Sequence, residues 1–342
     1  MSSNVRPAAK AGPPRRGWYM QDPVQLVKGR DSKWEDEKLG GLDQFLSKVP
    51  TSINGSSLPI PGARIIISPH AGYEYSGPCA AWAYSCLDLT KAKRVFVLGP
   101  SHRYFLRGCA VSTFSAYATP LGNLTVDTET LQKVKAAGDM ADIPTRYEKD
   151  EHSLEMQMPY LYRMCQKTFS NPQEYPKIIP MLVGDHTLGE GQEIGKLLLP
   201  YVQDPETSFI ISSDFCHWGD ENFDYSPYLP TGDINNIVRI RATDETPDGP
   251  PIHESIRILD EASMDAIKTG SHKAFVDNLK KTKNTVCGRY PIGVAMAALE
   301  LYAKEVNDNT KARFNIIRYE RSSEVEEPDD FSVSYVSAYA VL

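Results

Sequence analysis

The amino-acid sequence predicts an α/β fold: a single domain whose mixed, mostly parallel sheet is flanked by helices. Apolar runs at 64–68, 94–98, 177–183 and 208–212 do not alternate with polar residues, so they read as strands buried on both faces. Segments of helical length separate them, the order that a parallel sheet requires. Three stretches also end at histidine: Arg64-Ile-Ile-Ile-Ser-Pro-His70, Arg94-Val-Phe-Val-Leu-Gly-Pro-Ser-His102, and Ser208-Phe-Ile-Ile-Ser-Ser-Asp214-Phe-Cys216-His217. Open α/β sheets bind ligands at the carboxyl ends of their strands. The three endings therefore point to one shared polar site.

The elements follow in order. Residues 1–16 hold four basic residues, no acid, and mostly Pro, Ala, Gly and Ser, a composition that cannot bury a core, and read as a disordered tail. A mitochondrial presequence shares this bias, but Pro13 and Pro14 spoil its amphipathic helix. Leu26, Leu39, Leu42, Phe45 and Leu46 predict a helix before the first buried strand, and 51–61 a loop. Strand 64–68 leads into a small-residue helix over 78–87, then strand 94–98. Residues 120–126 and 128–137 read as strand and helix, 152–168 as helix, 177–183 as strand, 189–201 as helix and 208–212 as strand. Helices follow over 257–269, 272–281 and 291–306, where Pro291 suits a first turn. Residues 314–319 and 332–341 alternate in polarity and close the sheet. Between them and the third histidine, 226–252 is a Pro-, Gly- and Asp-rich loop, either a lid or a surface insertion.

With 41% hydrophobic residues the 342-residue chain can bury a sizeable core. A net charge of -7 and a pI near 5.6 argue against a dedicated nucleic-acid binder, which needs a basic surface. No stretch approaches about eighteen apolar residues, so no membrane span is expected. The start lacks a hydrophobic signal core, and the expected location is the cytoplasm, with the nucleus as a second compartment. Six cysteines (79, 86, 109, 165, 216 and 287) form no C-x-x-C pair and read as free thiols in a reducing compartment.

The chemistry-bearing residues are few. His70 and His102 at adjacent strand ends are costly to desolvate without a common ligand or partner, and imidazole suits iron, copper and zinc. Cys287, before Gly288-Arg289-Tyr290-Pro291, is expected at a helix N-terminus beside a guanidinium, where its pKa would fall and the thiolate would suit a soft metal. Asp214 and His217, three apart, read as an orienting carboxylate and a general acid/base. In Asp150-Glu151-His152-Ser153-Leu154-Glu155, His152 and Glu155 either line the pocket or simply start a helix. His186, His253 and His272 read as surface residues.

The motifs Pro-His70-Ala-Gly-Tyr, Leu-Gly-Pro-Ser-His102, Asp-Glu-His152-Ser-Leu-Glu-Met, Pro-Met-Leu-Val-Gly, Ser-Ser-Asp214-Phe-Cys-His217-Trp-Gly and Cys287-Gly-Arg-Tyr-Pro-Ile-Gly together resemble the Memo family, over 17–342. That resemblance implies a fold similar to class III extradiol dioxygenases, which hold Fe(II) with two His and one carboxylate. It also implies a metal site of His70, His102 and Cys287, described in the family as copper-binding, with His217 and Asp214 lining the pocket. Family members usually carry a His shortly before the Gly-x-Trp-Tyr; this chain has Pro13-Pro14-Arg15-Arg16 there. The 226–252 loop is longer than in the animal proteins.

Three functions are then expected in order. The first is a copper-binding redox protein linked to cell motility and growth signalling, iron being the alternative metal. The second is a non-catalytic adaptor for a signalling protein or phosphopeptide, with Arg103, Arg107 and Arg289 contacting phosphate. The third is an Fe(II) dioxygenase, which the replacement of carboxylate by Cys287 disfavours.

Overall fold

The computed structural model describes residues 4–8, 18–29 and 40–342. Its main sheet contains β1 (Ala63–Ser68), β2 (Arg94–Gly99), β3 (Cys109–Val111), β4 (Ala141–Asp142), β5 (Lys177–Val183), β6 (Thr207–Ser212), β7 (Asp214–Trp218), β8 (Asn315–Arg321) and β9 (Ser332–Val341). The order across it is β7-β9-β1-β6-β2-β5-β3-β4, with β8 paired to β9. The centre β1-β6-β2-β5 is parallel, with Phe209 beside both Ile65 and Phe96, and Ile178 beside Val95. Antiparallel pairing enters where β9 meets β1, β7 and β8, and where β3 meets β5.

Every residue of β1 and β6 is buried. A fully buried Ile contributes about 1.5–3 kcal/mol, so Ile65, Ile66, Ile67, Ile210 and Ile211 fix the register of the sheet centre. Because these strands run parallel, their carboxyl ends share one edge. The residues after Ser68, Gly99 and Ser212 meet there.

Helix Tyr73–Cys86 packs on β1, β8 and β9, and Arg289–Glu305 packs on β5, β6 and helix Leu188–Gln203. Before β1 the described residues hold two short helices, Pro23–Lys28 and Leu42–Ser47, in place of the single one expected, and Leu39 lies outside the described residues. The later expected helices are present with shifted ends, the small-residue helix starting at Tyr73 rather than 78. The expected helix 152–168 is two, His152–Glu155 and Met158–Thr168. Pro159 opens the second helix, and buried Gln157 at the break donates from Nε2 to Pro69 O (2.9 Å) and to Ser212 Oγ (3.0 Å). The expected strand 120–126 is a hairpin of Ala116–Thr119 with Gly122–Thr125.

Two expectations about irregular segments change. Residues 4–8 of the supposed tail are ordered: Val5–Arg6 pairs in parallel with Ala116–Tyr117, and Arg6 is fully buried. Its guanidinium pairs with Glu155 and donates to the carbonyls of Glu148 (2.9 Å) and Glu151 (3.0 Å). A buried cation with a carboxylate and carbonyls to satisfy it is stable where composition alone suggested none. The rest of 1–16, apart from 4–8, lies outside the described residues. The 226–252 loop has its own small core: Tyr228 and Ile240 pack with Cys216, Trp218, Ile252 and Ile256, and Trp218 Nε1 donates to Pro227 O (2.9 Å).

Removing Arg6 would take away the buried guanidinium paired with the Glu155 carboxylate. Arg6→Ala should therefore destabilise the fold by about 3–5 kcal/mol, read as a lower urea midpoint; an unchanged midpoint would show that the N-terminal strand is not integral to the fold.

Candidate metal centre

His70 lies two residues past β1 and His102 three past β2, while His152 opens the short helix His152–Glu155. One ligand atom from each of the three falls within 4.8 Å of the others. Their ring centroids are 5.1 Å apart for His70–His102, 5.3 Å for His70–His152 and 4.3 Å for His102–His152. Gly99 permits this approach, since a Cβ there would come 2.6 Å from Ser153 Oγ. Ser153 Oγ in turn donates to Pro100 O at 2.8 Å.

Hydrogen bonds fix the ring states. Ser212 Oγ spends its only proton on Ser153 O (2.6 Å), so it must accept from His70 Nδ1 at 2.7 Å. His70 Nε2 is then an unprotonated lone pair. Glu151 accepts from His102 N–H (2.6 Å) and from His102 Nδ1 (2.9 Å), which leaves the other nitrogen of that ring for the pocket. Burial alone would raise the Glu151 carboxyl, but the His102 hydrogen bonds and charge hold it down at about 2. Burial, then the neighbouring His102, pushes both His70 and His152 well below the usual histidine range. His152 Nδ1 is buried with no hydrogen-bond partner, and Trp18 stacks on its ring at 4.5 Å.

Cys287 closes the site from the far end of the chain, with Sγ 3.2 Å from His70 Nε2. It precedes the helix cap Gly288, whose hypothetical Cβ would sit 2.3 Å from Ser213 Cβ. Only glycine lets the loop lie so close to the end of β6. Burial and the adjacent Asp214 raise the thiol's pKa, contrary to the lowering expected from a helix terminus and Arg289. Burial is the larger effect and the Asp214 charge adds to it, while the Asp214 N–H that Sγ accepts at 3.1 Å opposes the rise without reversing it.

Asp214 Oδ1 accepts the His70 backbone N–H at 2.8 Å, and Oδ2 stands 3.9 Å from His70 Nε2. Burial raises its pKa. Asp214 thus holds His70 and is not the group that orients His217, whose Nδ1 donates to Phe215 O (2.9 Å). A cavity of about 230 Å³ reaches the centre past His102, Cys287, Tyr104, Arg289 and Tyr290, with Phe105 79% exposed at its rim.

The structure sets the Cys287 thiol against His70, while the three side chains whose ligand atoms share one metal-sized space are His70, His102 and His152; the helix-start letters around His152 had an equally good capping explanation. Glu155 is no part of the pocket wall; it anchors Arg6 and accepts from the Tyr19 hydroxyl. Arg103 and Arg107 are already engaged, by Asp150 O (2.7 Å) and Glu190 (2.8 Å). Of the histidines read as surface residues, His272 is 1% exposed and His186 and His253 are half-buried.

Comparison with known proteins settles the family. A model of the Memo-like proteins matches residues 34–339. The chain belongs to the Memo family. A MEMO1 family protein of Schizosaccharomyces pombe is 40% identical over 99% of this chain and all of its own length. The memo-1 homolog of Caenorhabditis elegans is 38% identical over 89% of this chain and 79% of its own. Human MEMO1 is 39% identical over 80% of this chain and 84% of its own. No helix among the described residues of this Memo-family chain is long and apolar enough to cross a membrane.

Burial holds the His272 imidazole down at about 4. A histidine depressed from its usual value near 6.5 contributes stability that is fully present above that pH and is lost as pH falls toward 4. The stability difference between the protein and His272→Asn should therefore shift against the wild type by up to about 3 kcal/mol between pH 7 and 4; parallel urea-midpoint curves over that range would contradict it.

Proposed function

We propose that this Memo-family chain is a cytosolic copper-binding redox protein, linked to cell motility and growth signalling. His70, His102 and Cys287 hold the metal, with His152 added to the donor set. The observation that carries the reading is the convergence of three imidazoles within 4.8 Å, beside a thiol 3.2 Å from His70 Nε2. The residues fit a metal: two rings are held in states that leave a nitrogen for the pocket, and the buried Nδ1 of His152 has no hydrogen-bond partner among the described residues, the Glu151 carboxylate standing 3.7 Å away. Nitrogen donors with a sulfur form a softer set than two histidines and a carboxylate, which favours copper, with iron as the alternative.

The nearby carboxylates support the same choice. Both Glu151 oxygens are taken by His102, and Asp214 Oδ1 by the His70 backbone. Glu151 cannot complete an Fe(II) triad without giving up His102, Asp214 keeps only Oδ2 unengaged, and a thiol stands where such a triad has a carboxylate, so ring-cleaving dioxygenase activity is disfavoured. Bound copper supplies one-electron chemistry. Around it, Ser212 and Glu151 orient the imidazoles, Trp18 shields one ring from water, and Asp214 and His217 would handle protons at the pocket. A second reading, an adaptor that takes a signalling peptide at the pocket, draws on the exposed Phe105 at the rim. The engagement of Arg103 and Arg107 weakens it as a phosphopeptide site.

The test is metal content and Cu(I) competition affinity. His70→Ala and Cys287→Ser should each lose tight Cu(I) binding, and Glu151→Gln should weaken it by about 10–100-fold. Wild-type affinity in both His70→Ala and Cys287→Ser would sink the assignment and leave the adaptor reading in first place.

A further inference from the structure

On the other side of Arg289 and Tyr290, which border both spaces, lies a second cavity of about 430 Å³. That volume is in the range of small-molecule sites. For a chain of net charge -7 its lining is unexpectedly cationic: Lys280, Lys283 and Arg289 all face it. None of the three makes a salt bridge among the described residues. Carboxylates close by are committed elsewhere, Asp277 to Lys273 and Glu190 to Arg107.

Helix electrostatics account for only part of this. Lys280 sits in the last turn of helix His272–Thr282, where a cation complements the dipole. Lys283 caps that helix at φ +55°, a left-handed position that glycine or asparagine would occupy with less strain. Arg289 is the first residue of helix Arg289–Glu305, the positive end of its dipole. A cation there is disfavoured unless an anion joins it. At the back of the cavity His272 is 1% exposed, and its Nδ1 has no hydrogen-bond partner. Leu188, Val276 and Leu279 supply an apolar floor.

We propose that this cavity binds a small molecule with an anionic head, phosphate or carboxylate, on a short apolar body. Lys280, Lys283 and Arg289 take the head, and Leu188, Val276 and Leu279 take the body. The site is distinct from the three-histidine centre and does not depend on what that centre binds.

Calorimetric titration of the full-length protein with hexyl phosphate, hexanoate and inorganic phosphate tests this. At least one hexyl ligand should bind, about tenfold or more tighter than inorganic phosphate because of the apolar body; the tighter of the two identifies the head. The double variant Lys280→Gln/Lys283→Gln should lose at least tenfold in that affinity, while Lys280→Arg/Lys283→Arg keeps it, with thermal midpoints and Cu(I) affinity unchanged in both. Absence of binding by both hexyl ligands, equal binding by the Gln double variant, or inorganic phosphate binding as tightly as hexyl phosphate would each overturn the proposal.

Discussion

The hydroxyl of Ser212 holds the site together. It stands at the end of β6, gives its proton to Ser153 O, and accepts from His70 Nδ1 and Gln157 Nε2. Three chain segments are thereby tied at one oxygen: the end of β6, the turn after β1, and the break between helices His152–Glu155 and Met158–Thr168. Because a hydroxyl has one proton, the direction of one bond dictates the others. The tautomer of His70 follows from the position of a main-chain carbonyl 59 residues before Ser212.

Around that knot, burial keeps the His70 and His152 imidazoles neutral. Glu151 matches His102 with an ionised carboxylate, whereas His70 and His152 are left to desolvation. Buried polar groups without charge or partner are expensive. A protein that gathers three imidazoles and a thiol at one sheet edge has arranged electron pairs toward a common point, and the parallel centre of the sheet is what makes that edge single.

Much of this was legible in the residues. The unbroken Ile runs marked the buried strands, and Pro-His70 and Pro-Ser-His102 after them marked the edge where they meet. His152 was ambiguous because Asp150 and Glu151 also describe a helix start; only the three-dimensional closeness of Gly99 and Ser153 decides it. The Cys287 thiol was misjudged because sequence shows the neighbouring Arg289 and the following helix but not desolvation or the facing Asp214. Arg6 was invisible for a similar reason: a basic residue in a proline-rich stretch carries no sign of a carboxylate 149 residues later.

The last strand has a consequence for how the protein is made. β9 occupies residues Ser332–Val341 and yet lies beside β1 and β7, the strands that lead to His70 and contain Asp214. A chain emerging from the ribosome has its first three histidines outside long before it has Cys287, and it leaves the β9-facing edge of the Ile-rich β1 unpaired until residues 332–341 have been made. Open apolar strand edges invite pairing with other chains. A copy that stops short of β9 is thus a candidate for aggregation.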